Sequence, residues 1–344
     1  MVQRIVGVDI GDTALRAVEV HNPTKARPTV VRFHEIALPE GAVRSGEVIE
    51  QNTVATALRQ LWSEGRFKTR DVVIGIGNQK VVARDLTVAH APIKRIREAL
   101  PFQVQDLIPV PVEDALLDFY PIAAVEGENG PAVTGLLIAA VKAAVEANVS
   151  AVRQAGLSPV DVDLIPFALL RALNHATEGT NAFIDIGAAA TNVVLATNGV
   201  PQFVRIIPSG GDDLTRAIAS RLSLEFDAAE RVKRSVGLAP QDPEQQAIAQ
   251  VIYEVSVELL TSLRNTLHFF ANTRTNGEIQ RVVLNGGGAY LPGFAALLQE
   301  AVRVPVEFGD PLSRVALGKG VTADAKNQKG AMTVALGLAI GGAA

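Results

Sequence analysis

Two aspartates carry the strongest chemical suggestion in this chain. Asp9 stands in Val8-Asp9-Ile10-Gly11-Asp12-Thr13, and Asp185 stands half a chain later in Ile184-Asp185-Ile186-Gly187-Ala188-Ala189. Each Asp-Ile-Gly lies between strand-like runs, Arg4–Val8 and Leu15–Val20 around the first, Ala182–Ile184 and Asn192–Ala196 around the second. Glycine permits a sharp turn and a close backbone approach. Successive amides in such a turn form an anion-binding concavity. A carboxylate beside a phosphate is repelled unless a metal ion or its water stands between them. The residue types therefore fit a Mg²⁺-nucleotide held between two hairpins. One copy alone is equally ordinary Asp-Gly hairpin chemistry. The duplication favours two like units facing one ligand.

A third glycine-rich stretch follows a predicted strand, Gln280–Asn285, and precedes a predicted helix, Phe294–Val302. It reads Gly286-Gly287-Gly288-Ala289-Tyr290-Leu291-Pro292-Gly293. Such a turn lets backbone and helix N-terminus approach a ligand. Alone it is also consistent with a structural turn. It is not a Walker A loop, and it lacks the G-x-G-x-x-G spacing of a dinucleotide site. Gly75-Ile76-Gly77 lacks it too, because Lys80 stands where the third glycine should be.

Composition narrows the chemistry. Hydrophobic residues make up 48% and charged residues 20% of 344 positions, which fits a globular chain of about two domains. A net charge of −4 supplies no global basic field for nucleic acid. The chain has no cysteine, hence no disulfide and no thiolate metal site. His21, His34, His90, His175 and His268 are scattered without zinc-ligand spacing. Asp9 arrives too early for a signal-peptide core. The apolar run Ala331–Ala344 is too short to span a bilayer, and it lacks the basic face of a membrane-surface helix. The expectation is a cytoplasmic protein with no nucleic-acid site and no membrane insertion of its own.

The elements that must position these residues follow from periodicity. Arg4–Asp9, Leu15–Val20 and Thr29–Ala37 predict three strands. Thr53–Glu64 predicts a helix with Val54, Ala57, Leu58 and Leu61 on one face and Asn52 as N-cap, and Asp71–Gly77 predicts a strand. Next comes a β-α-β-β-α-β run of split type. Its strands are Val81–Ala89, Ala115–Val125, Val133–Val141 and Pro159–Leu164, with a polar loop Glu126–Gly130. Its helices are Pro92–Leu107, which Pro101 must kink or split, and Ala143–Ala155, with Gly156 as cap. Lys94, Arg95 and Arg97 on the first of these helices read as a solvated face. Pro166–His175 leads into the second half. There Asn181–Val204 repeats the three-strand pattern, and helices follow at Asp212–Leu222, Asp227–Val236 and Glu244–Asn272. Ala331–Ile340 closes the chain as an apolar helix.

The three glycine turns, in this order, resemble the phosphate hairpins and adenosine turn of the actin-like ATPase superfamily. The β-α-β-β-α-β insert is similar to that of the FtsA branch. The G-V-D-I-G start, the D-I-G-A second hairpin and the terminal helix are most similar to the PilM family of type IV pilus assembly proteins. The resemblance implies an α/β actin-like ATPase fold, two related domains around a nucleotide cleft. The first core is 1–80 with 165–179 and 331–344, the insert 81–164, and the second domain 180–330 with a helical subdomain at about 209–278.

Carried over by motif, Gly11, Asp12, Thr13 and Arg16 face the phosphates of ATP from one side, and Gly187, Ala188, Ala189 and Asn192 from the other. Asp9 and Asp185 hold Mg²⁺ through water. Gly211, Glu230, Lys233 and Gly286, Gly287 and Gly288 enclose ribose and adenine. Two positions depart from the pattern. Arg16 stands where Lys is usual, and a guanidinium forks onto phosphate where an ammonium is a point charge. Asp12 stands where Ser or Thr is common, which removes a hydroxyl donor and adds negative charge.

The resemblance further implies a cytoplasmic ATP-binding scaffold, peripheral to the inner membrane. Its partners would be the N-terminal cytoplasmic peptide of a PilN-like membrane protein, taken between insert and first domain, and the pilus motor ATPases. No catalytic residue is assigned. Active relatives place Gln or Glu on the segment entering the second half, where here Asp163 is the single polar side chain of Val162–Ala168. Weak or absent hydrolysis is expected. A small-molecule kinase and a self-polymerising filament protein are the competing readings. A kinase needs an acceptor-hydroxyl base, for which the sequence offers no clear candidate.

Overall fold

The computed structural model describes residues 3–128, 130–175, 178–240, 242–274, 277–321 and 328–341. Asn129 in the expected loop Glu126–Gly130, and the last three residues of the run Ala331–Ala344, lie outside these.

The two halves repeat one strand plan. In the first, β1 (Arg4–Ile10), β2 (Ala14–His21) and β3 (Thr29–Ala37) are antiparallel neighbours, and β6 (Asp71–Ile76) lies parallel to β1. In the second, β11 (Thr180–Ile186), β12 (Thr191–Thr197) and β13 (Val200–Ile207) are antiparallel, and β14 (Ile279–Asn285) lies parallel to β11. The full orders are β10-β6-β1-β2-β3-β16 and β13-β12-β11-β14-β15. Here β10 is Ser158–Leu164, β15 Val306–Phe308 and β16 Ala316–Leu317. The last two, of three and two residues, are too short to show a period of their own.

Alternation along the strands builds two layers at once. Val6, Val8 and Ile10 of β1 pack toward Leu58 and Leu61 of α1 (Gln51–Gly65), while Ile5 packs toward Ala335 and Leu338 of the C-terminal helix. Each fully buried Leu among them contributes about 1.5–3 kcal/mol. Helix α1 begins two residues earlier than the Asn52 cap predicts. Glu50 is its N-cap and makes no side-chain cap bond; its carboxylate accepts instead from the Thr53 hydroxyl at 2.8 Å.

The insert forms a three-stranded sheet of β7 (Val81–Ala89), β9 (Gly130–Val141) and β8 (Ala115–Gly127). Helix α2 (Ile93–Gln103) covers one face with Ile96 and Leu100. Pro101 falls in its last turn, so α2 stops there and does not continue to Leu107. The last two elements of the run leave this sheet. Helix α3 (Lys142–Gln154) packs Ala151 and Val152 into the core beneath α1. Strand β10 runs parallel to β6 at the edge of the six-stranded sheet, with Pro159 and a bulge before Asp161. The chain thus rejoins the first half before α4 (Ile165–Leu173).

In the second half α5 (Gly211–Leu222), α6 (Phe226–Val236) and α7 (Pro243–Thr273) share one core with β11 and β14, and α8 (Phe294–Val302) closes it. Asp242 caps α7 by accepting from the Gln245 amide at 2.9 Å. The chain returns to the first half as α9 (Lys329–Gly341), which packs on α4, β1 and β2. This contact is backbone to backbone. A Cβ on Gly7 would lie 1.9 Å from the Ala335 carbonyl, so only glycine lets the helix reach the sheet. Two short strands, β4 (Val43–Arg44) and β5 (Glu47–Val48), form a separate ribbon. Among the described residues no helix is long and apolar enough to cross a membrane.

Candidate functional site

The two Asp-Ile-Gly hairpins meet at a cleft of about 790 Å³. Their geometry matches in detail. Asp9 lies opposite Arg16 across β1 and β2, and Asp185 opposite Asn192 across β11 and β12. The turns close alike: the Gly11 amide donates to the Ala14 carbonyl at 3.1 Å and the Gly187 amide to the Ala190 carbonyl at 2.9 Å. All of the residues singled out from the sequence line the cleft. They are Asp9, Gly11, Asp12, Thr13 and Arg16 on one wall, Asp185, Gly187, Ala188, Ala189 and Asn192 on the other, and Gly211, Glu230, Lys233 and Gly286–Gly288 beyond.

The carboxylates are held under tension with their surroundings. Burial pushes the Asp9 carboxyl above its usual range, and the Arg16 guanidinium opposes that shift from 3.5 Å. Arg16 is itself braced by Glu35, whose carboxylate accepts from its Nε at 2.5 Å. Burial pushes Asp185 up to about 6, against a hydrogen bond from Asn285 Nδ2 at 2.6 Å and with the help of nearby Asp9. Asn192 is buried, and its Oδ1 has no hydrogen-bond partner among the described residues. An amide turned over at that point offers donors instead.

Asp12 has a role that its motif position does not suggest. Its two carboxylate oxygens accept from the Ser45 and Gly46 amides, each at 2.7 Å. Those residues form the two-residue turn between β4 and β5, both at positive φ. The Gly46 carbonyl in turn accepts from Asn78 Nδ2 at 3.1 Å and Asn148 Nδ2 at 3.4 Å, both buried. Asp12 therefore clamps the first hairpin to the ribbon, and the extra negative charge is spent on backbone donors.

The far end of the cleft is pre-assembled. Lys233, almost fully buried, donates to the Gly211 carbonyl at 2.8 Å and the Thr215 hydroxyl at 2.6 Å, and pairs with Glu230 at 2.6 Å. Burial works to raise the Glu230 carboxyl. Bonds from Lys233, Thr215 and Arg234 together outweigh it and hold the group down at about 2. The Gly211 amide is occupied by the Gly187 carbonyl at 2.9 Å, so this residue straps α5 to the second hairpin. Gly286 has φ +86°, and a Cβ there would lie 2.3 Å from the Ile186 carbonyl, so the glycine turn seats directly on β11. Gly287 faces open space.

Sequence reasoning missed Glu35, Ser45, Gly46 and Ile165, which also line the cleft and which no local motif marks, while Tyr290 of the third glycine-rich stretch lines it as well. Asp163 turns out to be engaged elsewhere, ion-paired with Arg171 and accepting from the Leu164 amide at 2.7 Å. From the segment entering the second half, the side chain lining the cleft is the apolar Ile165.

The donor set fits a nucleotide with a hard cation. Oxygen ligands suit Mg²⁺, which takes few carboxylates and keeps several waters. Among the described residues no group of three or more acidic, histidine or cysteine side chains gathers to cage a metal. Water and phosphate oxygens around the ion, with the two carboxylates accepting from its waters, are the arrangement the cleft supports.

Two halves of one strand plan, each offering an Asp-Ile-Gly hairpin to a common cleft, define the actin-like ATPase fold. The fold is shared with MreB5 of Spiroplasma citri bound to ADP, at TM-score 0.56 and 12% identity over 97% of this chain and 94% of that one. The chain belongs to the type IV pilus assembly protein PilM family, whose model matches residues 7–343. A solved PilM–PilN type IV pilus biogenesis complex is similar over 99% of this chain and 98% of that one, with 33% identity and a TM-score of 0.87. The cell division protein FtsA of Bacillus subtilis is 24% identical over 89% of this chain and 78% of its own length.

Proposed function

We propose that this chain is a cytoplasmic, ATP-binding scaffold of the type IV pilus inner-membrane platform. In this reading it docks the N-terminal cytoplasmic peptide of a PilN-like membrane protein and links it to the motor ATPases. The observation that carries the reading is the convergence of two Asp-bearing hairpins and the Gly286–Gly288 turn on one cleft, in a chain of the PilM family. The similar PilM–PilN complex supports the choice of partner.

Asp9 and Asp185 would hold Mg²⁺ through its waters, and the ion would offset phosphate charge between the hairpins. Arg16, aimed by Glu35, adds a second cation. The Asp12-Thr13 and Ala188-Ala189 turns present backbone to the phosphates. Glu230 stays ionised down to about pH 2 and offers an acceptor to ribose hydroxyls. Hydrolysis also needs a side chain that positions the attacking water. With Asp163 tied to Arg171 and Ile165 at the cleft, slow turnover accompanies binding in this reading. The same apolar position weighs against a kinase, which needs a base there or nearby.

Isothermal titration with ATP and Mg²⁺, beside a phosphate-release assay, tests the nucleotide half. Binding without brisk release is expected, and brisk release by the isolated chain contradicts it. Pull-down with the N-terminal cytoplasmic peptide of a PilN-like membrane protein tests the partner half.

A further inference from the structure

A line of three buried polar side chains crosses from one half of the molecule to the other at the floor of the cleft. Thr333 lies in α9, which packs on α4, β1, β2 and β6 of the first half. It is fully buried, the one hydroxyl among Met332, Val334, Ala335 and Leu336. Its Oγ1 donates to Asn285 Oδ1 at 2.8 Å. Asn285 ends β14 in the second half, and its Nδ2 donates to Asp185 Oδ1 at 2.6 Å. A carboxylate only accepts, so Asp185 fixes which way the Asn285 amide faces. The amide oxygen is then left toward α9, where it needs a donor. Thr333 could satisfy itself on the Lys329 carbonyl one turn back, at 3.3 Å. The shorter bond goes instead to the opposite half.

We propose that Thr333 is a positioning residue for Asp185. Acting through Asn285, it fixes the direction of the carboxylate and makes that direction depend on the approach of the two halves. The inference rests on the Mg-nucleotide reading of the cleft. Mg²⁺ demands near-ideal octahedral geometry, so a carboxylate that is free to turn binds its shell less well. Partners that orient a metal's direct ligands typically matter about 10–100-fold in affinity, and a group acting through Asp185 and the metal's water belongs at the low end of that range. A threonine that merely fills space would affect nucleotide binding equally with and without the metal.

The test measures ATP affinity of full-length protein by titration, once with Mg²⁺ and once with EDTA. Thr333→Val keeps the shape and removes the donor. It is expected to lose about tenfold in the Mg²⁺ arm with little change in the EDTA arm, and Thr333→Ser is expected to restore the gain. Thr333→Cys, close in size with a weak donor, gives an intermediate loss and serves if the valine variant does not fold. Equal losses in both arms, or a full Mg²⁺ gain in Thr333→Val or Thr333→Cys, overturn the proposal. If wild-type protein binds no ATP in either arm, the proposed function fails and this inference with it. If wild type shows the Mg²⁺ gain and the variants share it, this inference alone fails.

Discussion

At the scale of single residues, the cleft buries two carboxyl groups, Asp9 and Asp185, whose protonation that burial favours. Burial holds the Asp185 carboxyl at about 6 against an ordinary 3.8, so the native state keeps this proton more tightly than the unfolded chain. The resulting stabilisation is complete below the unfolded value and is lost as pH rises through the folded one. In metal-free buffer the melting temperature should fall across that window, and Asp185→Asn should remove this part of the fall. Mg²⁺ requires the ionised form, so Mg-dependent ATP affinity should rise as pH passes 6. Thermal melts and titrations across that range check both signs. An identical slope in Asp185→Asn contradicts the assignment. Asp12 makes the opposite kind of statement, since its charge already has partners in the Ser45 and Gly46 amides. Asp12→Ala leaves two backbone donors without their acceptor and should cost about 1–2 kcal/mol in urea unfolding. A variant as stable as wild type removes the clamp from the account.

At the scale of elements, the C-terminal helix is the piece on which the cleft floor depends. Glycine in a helix interior normally costs about 1 kcal/mol relative to alanine. At Gly337 the balance reverses, because a Cβ would lie 1.9 Å from the Ala168 carbonyl of α4, an immovable backbone atom. Overpacking of this kind costs roughly 1–3 kcal/mol, occasionally more. Gly337→Ala should therefore destabilise despite its better helix propensity, and it should weaken Mg-ATP binding by shifting Thr333 away from Asn285. Denaturant unfolding together with titration reads both effects; a stabilised Gly337→Ala protein would contradict the packing. The ribbon β4–β5 depends similarly on Asn148 of α3. Its Oδ1 accepts from the Val48 amide at 3.0 Å inside the core.

At the scale of the molecule, two walls related by one strand plan are joined by polar contacts outside the cleft as well as within it. One is Arg274 at the end of α7, which pairs with Asp85 of β7 at 2.5 Å. Asp85 is largely exposed, so this bond should contribute at most about 1 kcal/mol. A ligand bridging Asp9 and Asp185 would do far more. At 100 times its dissociation constant a ligand stabilises the native state by about 2.7 kcal/mol, a large share of a typical margin. Mg-ATP should raise the melting temperature markedly, and Asp9→Ala should abolish the rise. Retention of the full shift in Asp9→Ala sinks the bridging role.

The division between what was legible and what was not follows from the range of the interactions. Asp9, Arg16, Asp185 and Asn192 could be read from the chain because a hairpin is local. Its turn fixes the register, and the register sets the facing pairs. The Gly286–Gly288 turn was legible for the same reason. Nothing local distinguishes Thr333 from any other hydroxyl in a helix, or Glu35 from any other carboxylate on an edge-facing strand. Their roles come from partners 48 and 19 positions away. The return of β10 to β6 belongs to the same class: a strand pattern gives a period of two and leaves the neighbour open. Asp12 reads as a phosphate-facing residue until the chain brings the Ser45-Gly46 turn against it. Sequence alone determined the two hairpins and their acidic residues, because backbone turn chemistry and strand alternation act over a few residues, and the fold class followed from the resemblance that the ordered glycine turns carry. Which buried polar groups meet across the cleft was decided only in the folded chain, because each must find a hydrogen-bond partner wherever packing happens to place one.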